Sequence, residues 1–382
     1  RRGVGAVVAA RGRDESEGEQ EGEGEDRSGH GGQRYRRGLG RTVQVGVLGV
    51  DHPHAITLAA DLQAAGAELT SWAITDDDPG GLFGVCFPDT ERRSPDTVLA
   101  SPPPLVVIAA VPGDRAELAT RAMEAGADVL VDKPGAITAA EVDRLEAVAT
   151  VTGRRWWVAF TEHVTSRSVV RADELVAAGR VGTVRHVLGL GPHRRGDDRP
   201  PWFTDPSRAG GTIADLASHQ VHHATRLLGT TDLRVVAARA TPRSDGTSPD
   251  LLGEVLLEGG TGSAYLRVDW LTPDGLPTWG DVRLMITGDE GTIEVRSTID
   301  AGGDEGGDHV IVVDADGVER LRCADDPLTW ADRLLADVVD GTESVVTTAH
   351  GLAVTRLCLA AQELADQHRA DQNQADQHRA DG

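Results

Sequence analysis

From Val43 onward the chain alternates short apolar runs with amphipathic stretches. VQVGVLGV is an apolar run of strand length, and Ala55 to Ala65 then reads as a helix ending at Gly66. AELTSWAIT predicts a second strand, which ends on Asp76, Asp77 and Asp78, and PLVVIAAV predicts a third. DRAELATRAMEAG reads as a helix with Gly126 as its stop, and ADVLV runs straight into Asp132, Lys133 and Pro134. Strands that read as unbroken Val, Ile and Leu, alternating with helices, predict a doubly wound parallel sheet covered on both faces. This α/β domain is expected over 42–155.

The pattern changes near Arg155. WWVAF reads as a strand, Ser166 to Ala178 as a helix and Thr183 to Leu190 as another strand. In GGTIADLASHQVHHATRLLG the apolar positions Ile213, Leu216, Val221, Leu227 and Leu228 fit a helix stopped by Gly229. Between Leu233 and Leu321, segments such as LLGEVLLE, GSAYLRVDW, DVRLMIT and GTIEVRS alternate, which predicts an antiparallel sheet with one wet face. Two more helices are expected near Leu328 to Val339 and Thr347 to Gln367. The second domain, over 156–366, is therefore α+β with a large open sheet.

Both ends read differently. Residues 1–41 are mostly Gly, Glu, Arg and Ser, with too few apolar groups to offset the entropy of ordering, so a disordered tail is expected. Residues 367–382 repeat a short polar unit and read as a frayed or disordered extension. No apolar run approaches the roughly 18 residues needed to span a bilayer, and no secretion signal is evident. The expected location is cytoplasmic.

The net charge of -23 makes nucleic acid and membrane surfaces poor partners. Cys86, Cys323 and Cys358 lie far apart, against both a disulfide framework and a thiolate metal site. The cations say more: of 38 Lys plus Arg, all are arginine except Lys133. A lysine amine can lose a proton and serve in acid/base chemistry, which arginine cannot.

A dinucleotide would dock on the first strand-turn-helix, because pyrophosphate binds backbone N–H groups at a helix N-terminus. The turn reads Gly49, Val50, Asp51, His52, Pro53, His54, with Gly46 in the strand before it. A full G-x-G-x-x-G would place glycine at positions 51 and 54, and Asp51 brings charge toward the pyrophosphate. Asp76 lies 27 residues after Gly49, where a carboxylate can accept the ribose hydroxyls, and this favours NAD over NADP. Asp132-Lys133-Pro134 stands at the C-terminal edge of a parallel strand, where open α/β sheets place ligands. Asp215, His219 and His222, spaced by four and three, share one helix face. A hydroxyl held between Lys133 and His219 would have a proton acceptor and a charge stabiliser, with Asp215 orienting the imidazole.

These segments together resemble the Gfo/Idh/MocA oxidoreductases, the glucose-fructose oxidoreductase and inositol dehydrogenase group, from Val43 to about Ala365. VQVGVLGV, the stretch from LVVIAAV through VLVDKP, RVGTV at Gly182 and AGGTIADLASHQVHH carry the likeness. The resemblance implies a Rossmann domain in front, Lys133 and His219 as catalytic residues, and an open second sheet that makes a homodimer or homotetramer interface. The implied reaction is hydride transfer between NAD and a hydroxyl of a sugar, cyclitol or related polyol. His52, His54, Asp132 and Lys133 join the cofactor set, and Lys133, His219 and His222 the substrate set. Position 132 is Asp where the family has Glu, His222 replaces a second aspartate, and Arg115 replaces a frequent histidine.

Rival readings use the same residues. Asp215, His219 and His222, with His193 or His309, have donors suited to zinc or manganese in a lyase, isomerase or hydrolase. An NAD-recycling glycosidase or epimerase, and a binding protein without activity, are further alternatives. Trp202, Trp270 and Trp279 in loops could stack on a sugar or plug the sheet end. Arg194, Arg195 and Arg199 read as a solvated cluster that could also meet an acidic substrate group.

Overall fold

The computed structural model describes residues 42–76, 81–196, 199–243, 249–260, 262–303 and 307–380. The expected tail at 1–41, Asp77 and Asp78 lie outside the described residues.

Six parallel strands make the first sheet: β1 (Gln44–Leu48), β2 (Glu68–Ala73), β3 (Glu91–Arg92), β4 (Leu105–Ile108), β5 (Asp128–Asp132) and β6 (Trp156–Ala159). Their order is β3-β2-β1-β4-β5-β6. Every residue of β4, β5 and β6 is buried, which is why these strands carry no polar alternation. Helices α1 (His54–Ala64), α2 (Leu82–Cys86), α3 (Pro95–Ala100), α4 (Pro112–Glu124) and α5 (Ala139–Thr152) make the connections. A capping box starts α5: Thr138 Oγ accepts from the Glu141 N–H at 3.3 Å, and Glu141 accepts from the Thr138 N–H at 2.9 Å.

The strand order reverses between β1 and β4, and open sheets bind ligands outside the carboxyl ends at such a point. Gly49 ends β1 there with φ 73°. A Cβ on it would lie 2.4 Å from the Ala110 Cα, so β1 and the end of β4 approach this closely only with glycine.

The second half begins with α6 (Thr161–Val164), α7 (Arg167–Ala177), β7 (Val184–Pro192), α8 (Pro206–Ala209) and α9 (Thr212–Leu227). Strands β8 (Arg234–Thr241), β9 (Leu252–Gly259), β10 (Gly262–Asp269), β11 (Arg283–Gly288), β12 (Gly291–Arg296), β13 (His309–Asp314) and β14 (Gly317–Arg322) follow, then α10 (Trp330–Asp340) and α11 (Thr348–Ala380). The eight-stranded sheet has the order β14-β13-β12-β11-β7-β10-β9-β8. Only β7 and β10 pair in parallel; the remaining pairs are antiparallel. Alternating burial along β9 and β12 gives the sheet one covered face, and α9 lies across β7, β9 and β10 on that face.

The C-terminal repeat differs from the sequence expectation. Helix α11 continues through it to Ala380 instead of fraying near Gln367. Ala, Gln and Arg are good helix formers, and Asp366 pairs with Arg369 and Asp376 with Arg379 one turn on. No helix among the described residues is long and apolar enough to cross a membrane.

Gly49→Ala is expected to lower stability by more than about 2 kcal/mol, from positive φ and overpacking together. Urea unfolding at a constant slope measures it, and an unchanged midpoint would show that the turn relaxes.

Candidate active site

The site is built from the carboxyl end of β5. Asp132, its last residue, has no exposed surface, and Arg115 from α4 is 1% exposed beside it. The guanidinium donates to Asp132 Oδ2 at 3.1 Å and to the Ala110 carbonyl at 2.7 Å. Its Nη1 also reaches the backbone carbonyls of Asp132, Lys133 and Pro134, at 3.0, 2.5 and 3.0 Å. One buried cation therefore grips all three residues of the turn, whose Lys133-Pro134 bond is cis. Burial pushes the Arg115 pKa down while Asp132 pulls it back up. Burial also opposes ionisation of Asp132, but His54, Arg115 and His52 outweigh it and hold that carboxyl well below the usual range.

The first turn is tied to the same carboxylate. His54 Nδ1 lies 2.8 Å from Asp132 Oδ1 and His52 Nδ1 lies 3.2 Å from Oδ2. Burial, helped by His54, keeps the His52 imidazole well below its usual pKa. His52, His54 and Asp132 are the one triad with metal-ligand spacing among the described residues, yet Arg115 already occupies the same carboxylate and opposes a second cation.

Asp51 is buried. It accepts from the Thr75 hydroxyl at 2.6 Å and the Asp76 N–H at 3.2 Å, so the carboxylate that replaces a fingerprint glycine braces the end of β2. Gly46 sits within β1 against Pro103, below the turn that holds Gly49 and Val50. Asp76 stands exposed past β2, with Arg208 at 3.3 Å; Arg208 also lies 3.3 Å from Asp114. The switch point, the blocked Cβ position at Gly49 and the acid at Asp76 together fit a dinucleotide.

Lys133 is 5% exposed, and its Nζ lies 2.7 Å from Asp215 Oδ1 on α9. Asp215 was expected to orient His219, but its carboxylate is taken by the lysine that β5 projects toward the helix. A second buried carboxylate, Glu162, follows β6, and its charge favours protonation of His219 against the effect of burial. Glu162 accepts from Gln220 Nε2 at 2.8 Å and lies 3.5 Å from His193 Nε2 and 3.8 Å from His223 Nε2. Burial opposes its charge, and the surrounding imidazoles, His219 first, bring its pKa down to about 2. Burial holds His219 well below its usual pKa, with Glu162 opposing and Lys133 and His193 adding to the shift. Buried Nδ1 of His219, Oε1 of Glu162, Oε1 of Gln220 and Nε2 of His223 have no hydrogen-bond partner among the described residues.

His222 belongs to a different network. It stacks on Phe160 at 4.1 Å, its Nε2 lies 2.6 Å from His163 Nδ1, and its Nδ1 lies 3.0 Å from His350 Nε2. His163 continues to Asp173 at 3.3 Å. His309 lies on β13 beside Asp300. Asp215, His219, His222 and His309 thus do not converge as ligands, and the metal reading built on them loses its geometry. Glu162 escaped the sequence reading although its place directly after a parallel strand marks it; Arg115 was noted there only as a replaced histidine.

A switch-point crevice, with a buried lysine at a strand end and a histidine-bearing helix across it, defines a dinucleotide-dependent oxidoreductase scaffold. Residues 44–160 match the oxidoreductase family with an NAD-binding Rossmann fold, and residues 169–294 match the Gfo/Idh/MocA C-terminal domain. The chain belongs to the Gfo/Idh/MocA family. It is similar to a protein from Erwinia carotovora atroseptica SCRI1043 whose description goes no further than oxidoreductase. The two are 32% identical with TM-score 0.82, covering 85% of this chain and 99% of that one. A levoglucosan dehydrogenase, solved with NADH and levoglucosan, shares the fold at TM-score 0.73 and 18% identity, covering 86% and 98%. A 1-carboxy-3-chloro-3,4-dihydroxycyclohexa-1,5-diene dehydrogenase of Comamonas testosteroni is 28% identical over 195 residues, 47% of this chain and 46% of that protein. The chain spans about half the length of the curated relatives it matches.

Replacing Arg115 by Met leaves Asp132 buried without its cation, and a loss of about 3–5 kcal/mol is expected in urea unfolding. Less than about 1 kcal/mol would show that the clamp is dispensable.

Burial keeps His163, His193, His219 and His222 below the ordinary 6.5, and His350 at about 4. Below pH 6.5 the unfolded chain binds protons that the folded chain refuses. Stability is therefore full above that pH and falls as pH drops toward 4. A melting temperature that stays flat between about pH 7.5 and pH 5 would contradict this.

Proposed function

We propose that the chain is an NAD-dependent dehydrogenase acting on a hydroxyl of a sugar, cyclitol or related polyol. The carrying observation is the Lys133–Asp215 pair, 2.7 Å apart at the carboxyl end of β5, with buried His219 one helical turn beyond Asp215. Bound NAD supplies the hydride acceptor. The chain's own residues handle the proton and the position of the substrate. In its neutral form the Lys133 amine accepts the substrate hydroxyl proton through its lone pair as the carbinol hydride leaves, becoming an ammonium, while Asp215 accepts a hydrogen bond from the same amine and holds it in place. His219, kept neutral by burial, presents a ring nitrogen to the same oxygen or its neighbour, and Glu162 with Gln220 fixes that side of the cleft. Arg115 acts one step back, by holding the turn that aims Lys133.

Asp76 supports NAD over NADP, because a carboxylate accepts ribose hydroxyls and repels a 2′-phosphate. The polyol reading draws support from relatives: levoglucosan dehydrogenase binds NADH and a sugar, and the Comamonas dehydrogenase is named for a ring diol. The open face of the second sheet, where Met285 and Val313 are exposed, offers a surface for a homodimer or homotetramer.

Titration with NADH and NADPH, followed by nicotinamide fluorescence, tests the cofactor, and NADH is expected to bind more tightly. Against a panel of polyols, Lys133→Ala should lower kcat by at least about a hundredfold with little change in NADH affinity. His219→Asn should lower it by about tenfold or more. A parental rate in Lys133→Ala would remove the lysine from the mechanism.

A further inference from the structure

Arg199 stands out among the largely buried arginines. Arg115 is paired with Asp132, and Arg155 with Asp128. Arg199 pairs with no carboxylate among the described residues. Its guanidinium lies 4.6 Å from the Phe203 ring centroid and 5.2 Å from that of Trp270. Both rings are buried, and they meet edge to face at 5.2 Å. The protein partners of Arg199 are two backbone carbonyls: Nε donates to Arg195 and Nη2 to Arg194, the latter at 3.2 Å. Arg195 offers no relief, because it is a second cation whose like charge works against Arg199 and whose own buried Nε has no partner. A partly buried cation with no carboxylate on it among the described residues keeps donor capacity for an anion.

The place of this cation gives it meaning. Trp270 joins it to His193, whose ring lies 5.7 Å from the indole. His193 in turn faces Glu162 at 3.5 Å and lies within the field of Lys133 and Asp215. Asp215 also acts on Arg199 through the protein. Contacts thus run from Arg199 through Trp270 and His193 to Glu162, which accepts from Gln220 on α9, the helix whose Asp215 meets the Lys133 amine. The guanidinium, close to both rings and with Nη1 uncommitted to any protein acceptor among the described residues, suits a planar two-oxygen anion.

We propose that the substrate carries a carboxylate, which seats on Arg199 with Arg195 close by, while the hydroxyl to be oxidised lies at Lys133. The substrate class is then a sugar acid or a carboxylated cyclic polyol. This rests on the dehydrogenase reading for the role of Lys133, but the anion site itself does not need the cofactor.

The test is calorimetric titration of the full chain, with and without NADH, by matched pairs: glucuronate against glucose, galacturonate against galactose, and quinate against inositol. At least one carboxylate is expected to bind tenfold or more tightly than its neutral counterpart. Arg199→Gln should erase that preference while leaving NADH affinity and circular dichroism unchanged, and Arg199→Lys should restore part of it. Equal affinity within every pair, no binding of any carboxylate, or a preference that survives Arg199→Gln would each overturn the proposal. Failure of NADH to bind would overturn the dehydrogenase reading alone, since the paired titrations without NADH still report on the anion site.

Discussion

The buried ion pair between Arg115 and Asp132 is the constraint from which the site is organised. Neither partner has appreciable exposed surface, so each depends on the other to offset desolvation. Through its remaining donors Arg115 fixes the carbonyls of the following turn and the end of β4. Through its second oxygen Asp132 holds His54, and with it the turn after β1. Three loops that converge at the switch point are thereby locked to one charge pair. Such pairs do little for net stability compared with a well-packed apolar replacement. Their effect here is geometric, because the amine of Lys133 is aimed by a turn with almost no freedom left.

Helix α9 is the opposing surface. All its residues except Asp215 and Arg226 are buried, so it cannot have one wet face and one dry one. Its polar side chains must find partners inside the protein, and they divide into two sets. Asp215, His219, Gln220 and His223 turn toward Lys133 and Glu162, whereas His222 turns to His163 and His350. The second set is closed on itself and on Asp173, while the first retains orphan donors and acceptors. That contrast separates the residues available to a ligand from those that complete the interior.

The aromatic loops extend the first set outward. Trp202 and Trp270 are buried, while Trp279 is half-exposed beside His193 at 4.6 Å. Trp202 and Trp270 thus pack with Phe203, and Trp270 and Trp279 both meet the His193 ring. Arg199, which the sequence placed by default among solvated charges, is half-buried against Phe203 and Trp270. Sequence gives charge but not enclosure, because the rings that cover Arg199 come from positions as distant as Trp270.

Much of the fold was legible in the chain. Central parallel strands are buried on both faces and must be continuous apolar runs, so β1, β4 and β5 and the helices between them were visible from residue type. So were the glycine at the first turn, Asp76, the lone Lys133 and the Asp215–His219 spacing, since these depend on local order along one element. What the sequence could not supply was partnership. Helical spacing put Asp215, His219 and His222 on one stripe, but neighbouring strands and helices decided that Asp215 meets Lys133, that Glu162 meets Gln220 and His223 of the same helix, and that His222 meets two other histidines. The C-terminal repeat was misread for a related reason: its polarity suggested fraying, while helix propensity and one-turn ion pairs continue a helix already anchored by packing. Periodicity reports which side of an element is buried. Only the tertiary structure brings charges from distant segments within hydrogen-bond reach, and those short distances determine which of the candidate groups share a site.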